Sequence, residues 1–313
     1  MRSMPQTDEQ PSIFAGGSEE VLRRLELTVT RKLDGLLQGE YHGLVPGHGS
    51  EYGETRAYQL GDDVRHIDWN VTARMQEPFI RETIADRELE TWLCVDVSAS
   101  LDFGTAACEK DDLAVAAAGS VAFLTQRVGN RIGAVLGKPH GFHTVPARSG
   151  RIHVTAMLHA LMAQLDAQPG QGDLAAVIRR TGMMAKRRGL VVVISDFLDD
   201  GDWANELRRL TTRHDVLVVE VVDPRELDIP NVGVITLMDP ETGAAREFDT
   251  GKRGVRQRYA AAAAAERTEI QEKIRGAAAD HLVLRTDHDW LHDLVRFVAQ
   301  RRERIARRAR RAH

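Results

Sequence analysis

The chain has 313 residues, of which 42% are hydrophobic and 28% charged, and carries a net charge of −4 at neutral pH. Such a length holds one large domain or two smaller ones, and such a composition belongs to an ordinary globular protein. The charge balance gives no general pull toward nucleic acid or membrane surfaces, and no apolar run approaches the ~20 residues of a bilayer span.

Met1 to Gln10 is polar and lacks the apolar centre of a signal peptide, so the expected location is the cytoplasm. Residues 1–17, with Pro5, Pro11, Gly16 and Gly17, read as a disordered tail. Ser18 to Leu37 has the apolar stripe of a helix in Val21, Leu22, Leu25, Leu33 and Leu36. A glycine-rich stretch, Gly39 to Gly53, follows. Next comes a dense charged and aromatic block, Arg56 to Arg74. Residues 18–88 are therefore assigned to an N-terminal extension, and residues 89–313 to a second domain.

From Thr91 onward, strand and helix patterns alternate. Strands are expected at 91–97, 131–136, 141–145, 189–195, 215–222 and 281–285, with a further short pair at 234–237 and 246–248. Helices are expected at 109–128, 151–167, 173–187, 202–213, 252–279 and 289–311. Gly137-Lys138-Pro139-His140 marks a hairpin, and Asp239 to Gly243 marks another turn. This alternation implies an α/β fold with a mostly parallel, doubly wound sheet and an antiparallel edge strand. Cys94 and Cys108 are the only cysteines, and Cys94, inside an apolar strand, reads as a buried free thiol.

Chemistry concentrates where two of these strands end. Trp92-Leu93-Cys94-Val95 runs into Asp96-Val97-Ser98-Ala99-Ser100, and Leu190 to Ile194 runs into Ser195-Asp196. The carboxyl edge of an open α/β sheet is where ligands bind. Spacing by two lets a loop aim Asp96, Ser98 and Ser100 at one point. Carboxylate and hydroxyl oxygens are hard donors, suited to Mg²⁺, Mn²⁺ or Ca²⁺ rather than Zn²⁺. Against this stands the plain reading in which Asp and Ser after a strand cap helices or make turns.

Strand, D-x-S-x-S, helix, hairpin and a later strand ending in Asp resemble a von Willebrand factor A domain with its metal-ion-dependent adhesion site. Over about residues 40–300, the chain resembles more closely the bacterial domain of unknown function 58 family. That likeness is carried by Gly53-Glu54, Arg56-Ala57-Tyr58, Gly61-Asp62-Asp63-Val64-Arg65, Ile67-Asp68-Trp69 and Ala73-Arg74, ahead of the D-x-S-x-S. The resemblance implies Ser98 and Ser100 as direct ligands of Mg²⁺ or Mn²⁺, with Asp96 and Asp196 acting mainly through water. It also implies a MoxR-type AAA+ ATPase as partner. The Thr that normally adds a ligand is replaced, in Pro169-Gly170-Gln171-Gly172-Asp173, by Gly172. Asp173 either compensates or only caps the following helix, and the cap reading is preferred.

Other constellations resolve toward structure. The Arg56–Arg74 block reads as a clamp of Arg–carboxylate pairs with Trp69 as a buried anchor, in preference to a binding surface. Gly170-x-Gly172-x-x-Ala175 follows a helix rather than a strand and so fails as a dinucleotide fingerprint. His288 and His292 have zinc spacing, but the segment reads as a helix start capped by Asp287. Eight arginines and one glutamate between Arg296 and Arg311 read as the solvated face of a docked helix, and nucleic acid is an unfavoured partner.

The expected function is a non-enzymatic, metal-dependent interaction module. An ion held by neutral hydroxyls keeps most of its charge and can accept a carboxylate from an ATPase or its client. The rival is a Mg²⁺-dependent phosphoryl-transfer enzyme using Asp96 with Asp196, Asp199 or Asp200. Ser98 stands where haloacid-dehalogenase-like enzymes carry their second Asp, which counts against the rival.

Overall fold

The computed structural model describes residues 13–36, 55–59, 64, 67–75, 77–81, 90–127, 129–138, 141–167, 170, 172–238 and 245–312. The chain divides into two compact units, Met1–Pro46 with Leu89–His313, and Gly47–Glu88.

Among its described residues the smaller unit holds β1 (Thr55–Ala57) paired antiparallel with β2 (Phe79–Arg81), and a short helix, α2 (Trp69–Met75). Asp68 caps α2 by accepting from the Asn70 and Val71 amides at 3.1 and 3.3 Å. The expected burial of Trp69 is corrected here: its side chain is 71% exposed, while Asp68 is buried. The reason is geometric. Trp69 is the first residue of a seven-residue helix that buries none of its side chains, and the described strands beside it are only three residues long. Asp62, Asp63, Arg65 and the side chain of Arg56 lie outside the described residues, as do the glycine-rich stretch 39–53 and the turns at 139–140 and 239–244.

The larger unit is built on a six-stranded sheet. Its strands are β3 (Glu90–Val95), β4 (Arg131–Lys138), β5 (Gly141–Arg148), β6 (Leu190–Ser195), β7 (Asp215–Val222) and β10 (Asp280–Arg285). The spatial order is β10-β7-β6-β3-β4-β5, parallel throughout except for the β4–β5 hairpin at one edge. This is the expected von Willebrand A-like, doubly wound arrangement with an antiparallel edge strand. A separate antiparallel pair, β8 (Val234–Met238) and β9 (Ala245–Asp249), follows α7 (Pro224–Leu227).

Side chains alternate across the central strands, as the period of two requires. Leu93 and Val95 of β3 face one core with Val192 and Ile194 of β6. Trp92 and Cys94 face the other core with Val191 and Val193. The first core is covered by α1 (Ser18–Leu36), α3 (Lys110–Arg127), α4 (Arg151–Leu165) and α9 (Trp290–Ala312). The second is covered by α5 (Leu174–Met184), α6 (Trp203–Thr211) and α8 (Arg253–Gly276). Cys94 is a buried free thiol, as expected, and burial pushes it up to about 12; Cys108 is free and half-buried.

α3 is buried along nearly its whole length, which explains its Ala- and Val-rich composition. At Gly119 a Cβ would come within 2.4 Å of Leu25 Cδ2, so the missing side chain lets α1 lie close on α3. Leu22, Leu25 and Val29 thereby join the first core, and the boundary expected at 88/89 does not separate α1 from the sheet. The expected disordered tail is shortened likewise, because Ile13 and Phe14 pack against the same core, while residues 1–12 lie outside the described residues.

At the far end, Arg301 of α9 is 2% exposed and bridges Asp215 of β7 at 2.5 Å and Asp280 of β10 at 2.6 Å. One arginine of the basic tail is thus a structural tie and not part of a solvated face. The cap of α9 is Asp289, whose Oδ1 accepts from the Leu291 and His292 amides at 3.1 Å each. Asp287, expected in that role, instead pairs with Arg285 at 2.8 Å.

Candidate functional site

β3 and β6 are adjacent and parallel, so their carboxyl ends lie side by side. Asp96 and Asp196 leave these ends at neighbouring positions, and the Asp96 amide donates to Ile194 O at 3.0 Å. Sheet order therefore joins two segments a hundred residues apart, and all four expected residues meet. Ser98 donates to Asp96 Oδ2 at 3.0 Å, and the Ser98 and Ser100 hydroxyls are 2.9 Å apart. Ser100 also lies beside Asp196, where its hydroxyl helps hold that carboxyl below its usual range. Ser195 donates a second hydroxyl to Asp96 Oδ2 at 3.0 Å and accepts from the Phe197 amide.

The turn after β6 is held by a strained residue. Phe197 has φ +61°, and its ring meets Trp203 edge-on with centroids 5.0 Å apart. A bulky residue in this left-handed region persists only where packing over-determines it. Here the buried ring supplies that packing, and the turn aims Asp196 inward.

Asp96 is 2% exposed, and its Oδ1 has no hydrogen-bond partner among the described residues. Burial, and the nearby negative charge of Asp196, push its carboxyl up to about 7. An unpartnered buried carboxylate oxygen costs free energy unless a proton or cation meets it. Gly172 lies over this atom: a Cβ there would stand 3.0 Å from Asp96 Oδ1 and 2.9 Å from Ser98 Cβ. Asp173 is the cap of α5, accepting from the Ala176 amide at 2.8 Å. Asp199, considered for phosphoryl transfer, accepts from the Leu174 amide at 3.1 Å and the Gly201 amide at 2.5 Å.

Sequence reasoning missed the charged network behind these groups. Lys110, the first residue of α3, is 1% exposed; its ammonium lies 2.8 Å from Asp196 Oδ2 and also pairs with Glu226. Burial works to lower the Lys110 pKa, but the two carboxylates raise it further, so it stays charged. Burial works to raise Asp196, and Lys110 overrides it, holding that carboxyl below its usual range. Arg267 of α8 binds Glu226 Oε2 at 2.9 Å, Glu220 Oε1 at 2.7 Å and the Asp196 carbonyl at 3.1 Å. His281 Nε2 lies 2.7 Å from Glu220 Oε2. The available signal was slight: a lysine opening the alanine-rich α3, and an arginine in α8 among several other basic residues.

Asp223 fixes the position of Glu226. The two form a capping box around α7, with the Asp223 amide donating to Glu226 Oε2 at 3.2 Å. Asp223 also accepts from the Thr105 amide and hydroxyl at 2.8 and 2.7 Å and from the Thr286 hydroxyl at 2.7 Å.

The residues fit a hard cation. Asp196, Glu220 and Glu226 share the two cations Lys110 and Arg267, and Asp96 is a further carboxyl beside them that pairs with neither. All donors at the sheet edge are oxygens, and Asp96 Oδ1 is free to ligate. No cluster of three or more His, Cys, Asp or Glu suited to a metal occurs among the described residues, so an ion here depends on the serine hydroxyls.

A family model described as "Protein of unknown function DUF58" matches residues 54–269. An uncharacterized protein of Mycobacterium tuberculosis (strain H37Rv) is 51% identical over 304 residues, covering 95% of this chain and 96% of that protein. An uncharacterized protein of Mycobacterium avium is 43% identical over 159 residues, covering 50% of this chain and 94% of its own length. Among solved structures, the chain is similar to the conserved hypothetical protein BatB from Bacteroides thetaiotaomicron. That match has 14% identity and a TM-score of 0.44, covering 69% of this chain and 99% of the other. The SpRpn10 VWA domain matches with 11% identity and a TM-score of 0.37, covering 67% of this chain and 94% of the other.

Proposed function

The chain belongs to the DUF58 family, and from that premise we propose that it is a protein-interaction module whose sheet edge presents a divalent cation to a carboxylate of its partner. The observation that carries this reading is Asp96 Oδ1, buried and without a partner among the described residues, beside the paired hydroxyls of Ser98 and Ser100. Asp96, Ser98 and Ser100 would hold Mg²⁺ or Mn²⁺, with Asp196 acting through water. An ion held largely by neutral hydroxyls supplies an open, electrophilic position that selects an acidic side chain. The partner fitting this role is a MoxR-type AAA+ ATPase or its client, met in the cytoplasm during assembly or maturation of other proteins. No helix among the described residues is long and apolar enough to cross a membrane.

Calorimetric titration of a MoxR-type ATPase from the same source, with Mg²⁺ and with chelator, tests the reading. Binding that weakens with chelator and with Ser98→Ala supports it. Equal affinity in both conditions overturns it. Turnover of an aryl phosphate that is lost in Asp96→Asn would favour phosphoryl transfer instead.

A further inference from the structure

Lys110 is a cation already seated in the site. It has no exposure to solvent beyond 1%, so it cannot contact a partner directly. It divides its donors between Asp196, which belongs to the ion site, and Glu226, which does not. Glu226 is itself locked by Arg267 and by the Asp223 amide, so the second seat is rigid. A divalent ion drawing on Asp196 must share that carboxylate with an ammonium 2.8 Å away.

We propose that Lys110 is an affinity-setting residue that competes with the divalent ion for Asp196, keeping the site weak until a partner carboxylate completes it. The inference rests on the metal-dependent reading above and adds a direction to it. Two positive centres drawing on one buried carboxylate oppose each other, because the low local dielectric strengthens their repulsion. With Lys110 present, an ion alone binds weakly, and a partner's negative charge tips the balance. The lysine thereby couples occupancy by metal to occupancy by partner. It is a positioning residue, acting through Asp196 and not on the partner.

The test is calorimetric titration of Mn²⁺ and Mg²⁺ into the full chain and its Lys110→Met variant, with thermal melting of the metal-free forms alongside. Lys110→Met should bind Mn²⁺ roughly tenfold more tightly, the size of coupling expected between groups in contact. Its metal-free melting temperature should fall, since Asp196 and Glu226 lose their counter-charge. Damage to the fold alone would lower both quantities. In an Asp196→Asn background, adding Lys110→Met should tighten Mn²⁺ binding by less than it does in the parent, because competition for the carboxylate is gone and only the repulsion between lysine and ion remains to be relieved. Where Lys110→Met does not fold, Lys110→Gln carries the same comparison. Metal affinity that is unchanged or weaker in Lys110→Met, with the parent binding, overturns the inference and leaves the site reading intact. Absence of Mn²⁺ binding in the parent and in both Lys110 variants overturns the site reading, and the inference with it.

Discussion

A Cβ placed on Gly172 would stand 2.9 Å from the Cβ of Ser98, closer than side chains approach one another. The loop ahead of α5 thus rests directly on the D-x-S-x-S loop, a contact supported by the Ala99 amide donating to Gly170 O at 3.1 Å. The glycine is the condition for this approach. The Thr that the resemblance leads one to expect does not fit the same backbone.

Gly172→Thr should therefore fail to restore a fuller ligand set. Overpacking a tight contact costs ~1–3 kcal/mol, and the Ser98 loop must shift to relieve it. Urea denaturation should show a lower midpoint with an unchanged slope, and Mn²⁺ should bind no more tightly than to the parent. A variant as stable as the parent with tighter Mn²⁺ binding would show that the loop has room.

Divalent cations should raise the melting temperature of the parent. At a hundredfold excess over Kd, linkage gives ~2.7 kcal/mol. Asp96→Ala and Ser98→Ala should each abolish the rise while leaving the far-ultraviolet circular dichroism intact, since neither residue lies within a strand or α-helix. A rise that persists in both variants would locate the ion elsewhere.

Asp223 should be a keystone of the carboxyl edge. It is fully buried and accepts from Thr105, the Arg225 amide and Thr286. Losing these charge-assisted bonds in Asp223→Ala should cost ~2–4 kcal/mol at neutral pH. Burial works to raise this carboxyl, but the hydrogen bonds win and hold it below its usual range. A depressed native pKa means stability present above the unfolded value and lost as pH falls through the native one. The stability gap between parent and variant should therefore be full at pH 7 and shrink below about pH 4. A gap constant across this range would mean that Asp223 acts by shape alone.

Asp68→Ala should loosen α2 without unfolding the larger unit. Loss of an N-cap costs ~1 kcal/mol, and Asp68 serves the Asn70 and Val71 amides. Hydrogen exchange should quicken over residues 69–75 and stay unchanged in the central strands. Quickening in the strands of the six-stranded sheet instead would mean that Asp68 supports the larger unit too.

Continuous apolar runs, alternation with helical stripes and turn residues at 137–140 were enough to read the sheet, its helices and its antiparallel edge. They suffice because each reports on a local element, and a parallel α/β sheet leaves few ways to connect such elements. The positions of Asp96, Ser98, Ser100 and Asp196 at strand ends were legible for the same reason. The cap of α5 at Asp173 was also legible, but that of α9 was displaced by two residues, from Asp287 to Asp289. Both acids precede the helix, and which one caps depends on where its backbone amides point, not on composition.

What the tertiary structure alone decided is how distant charges pair. Lys110 meets Asp196 across 86 residues of sequence, and Arg267 meets Glu220 across 47. No periodicity records such pairs, because α3 and α8 bring their cations to the site from the two opposite faces of the sheet. The exposure of Trp69 is the opposite case, an indole in solvent at the start of a short helix that buries none of its residues. The strand pattern thus determined where the oxygens of Asp96, Ser98, Ser100 and Asp196 stand. The packing of helices onto both faces determined the charge behind them, since burial in a low-dielectric interior makes each unpaired carboxylate demand a partner.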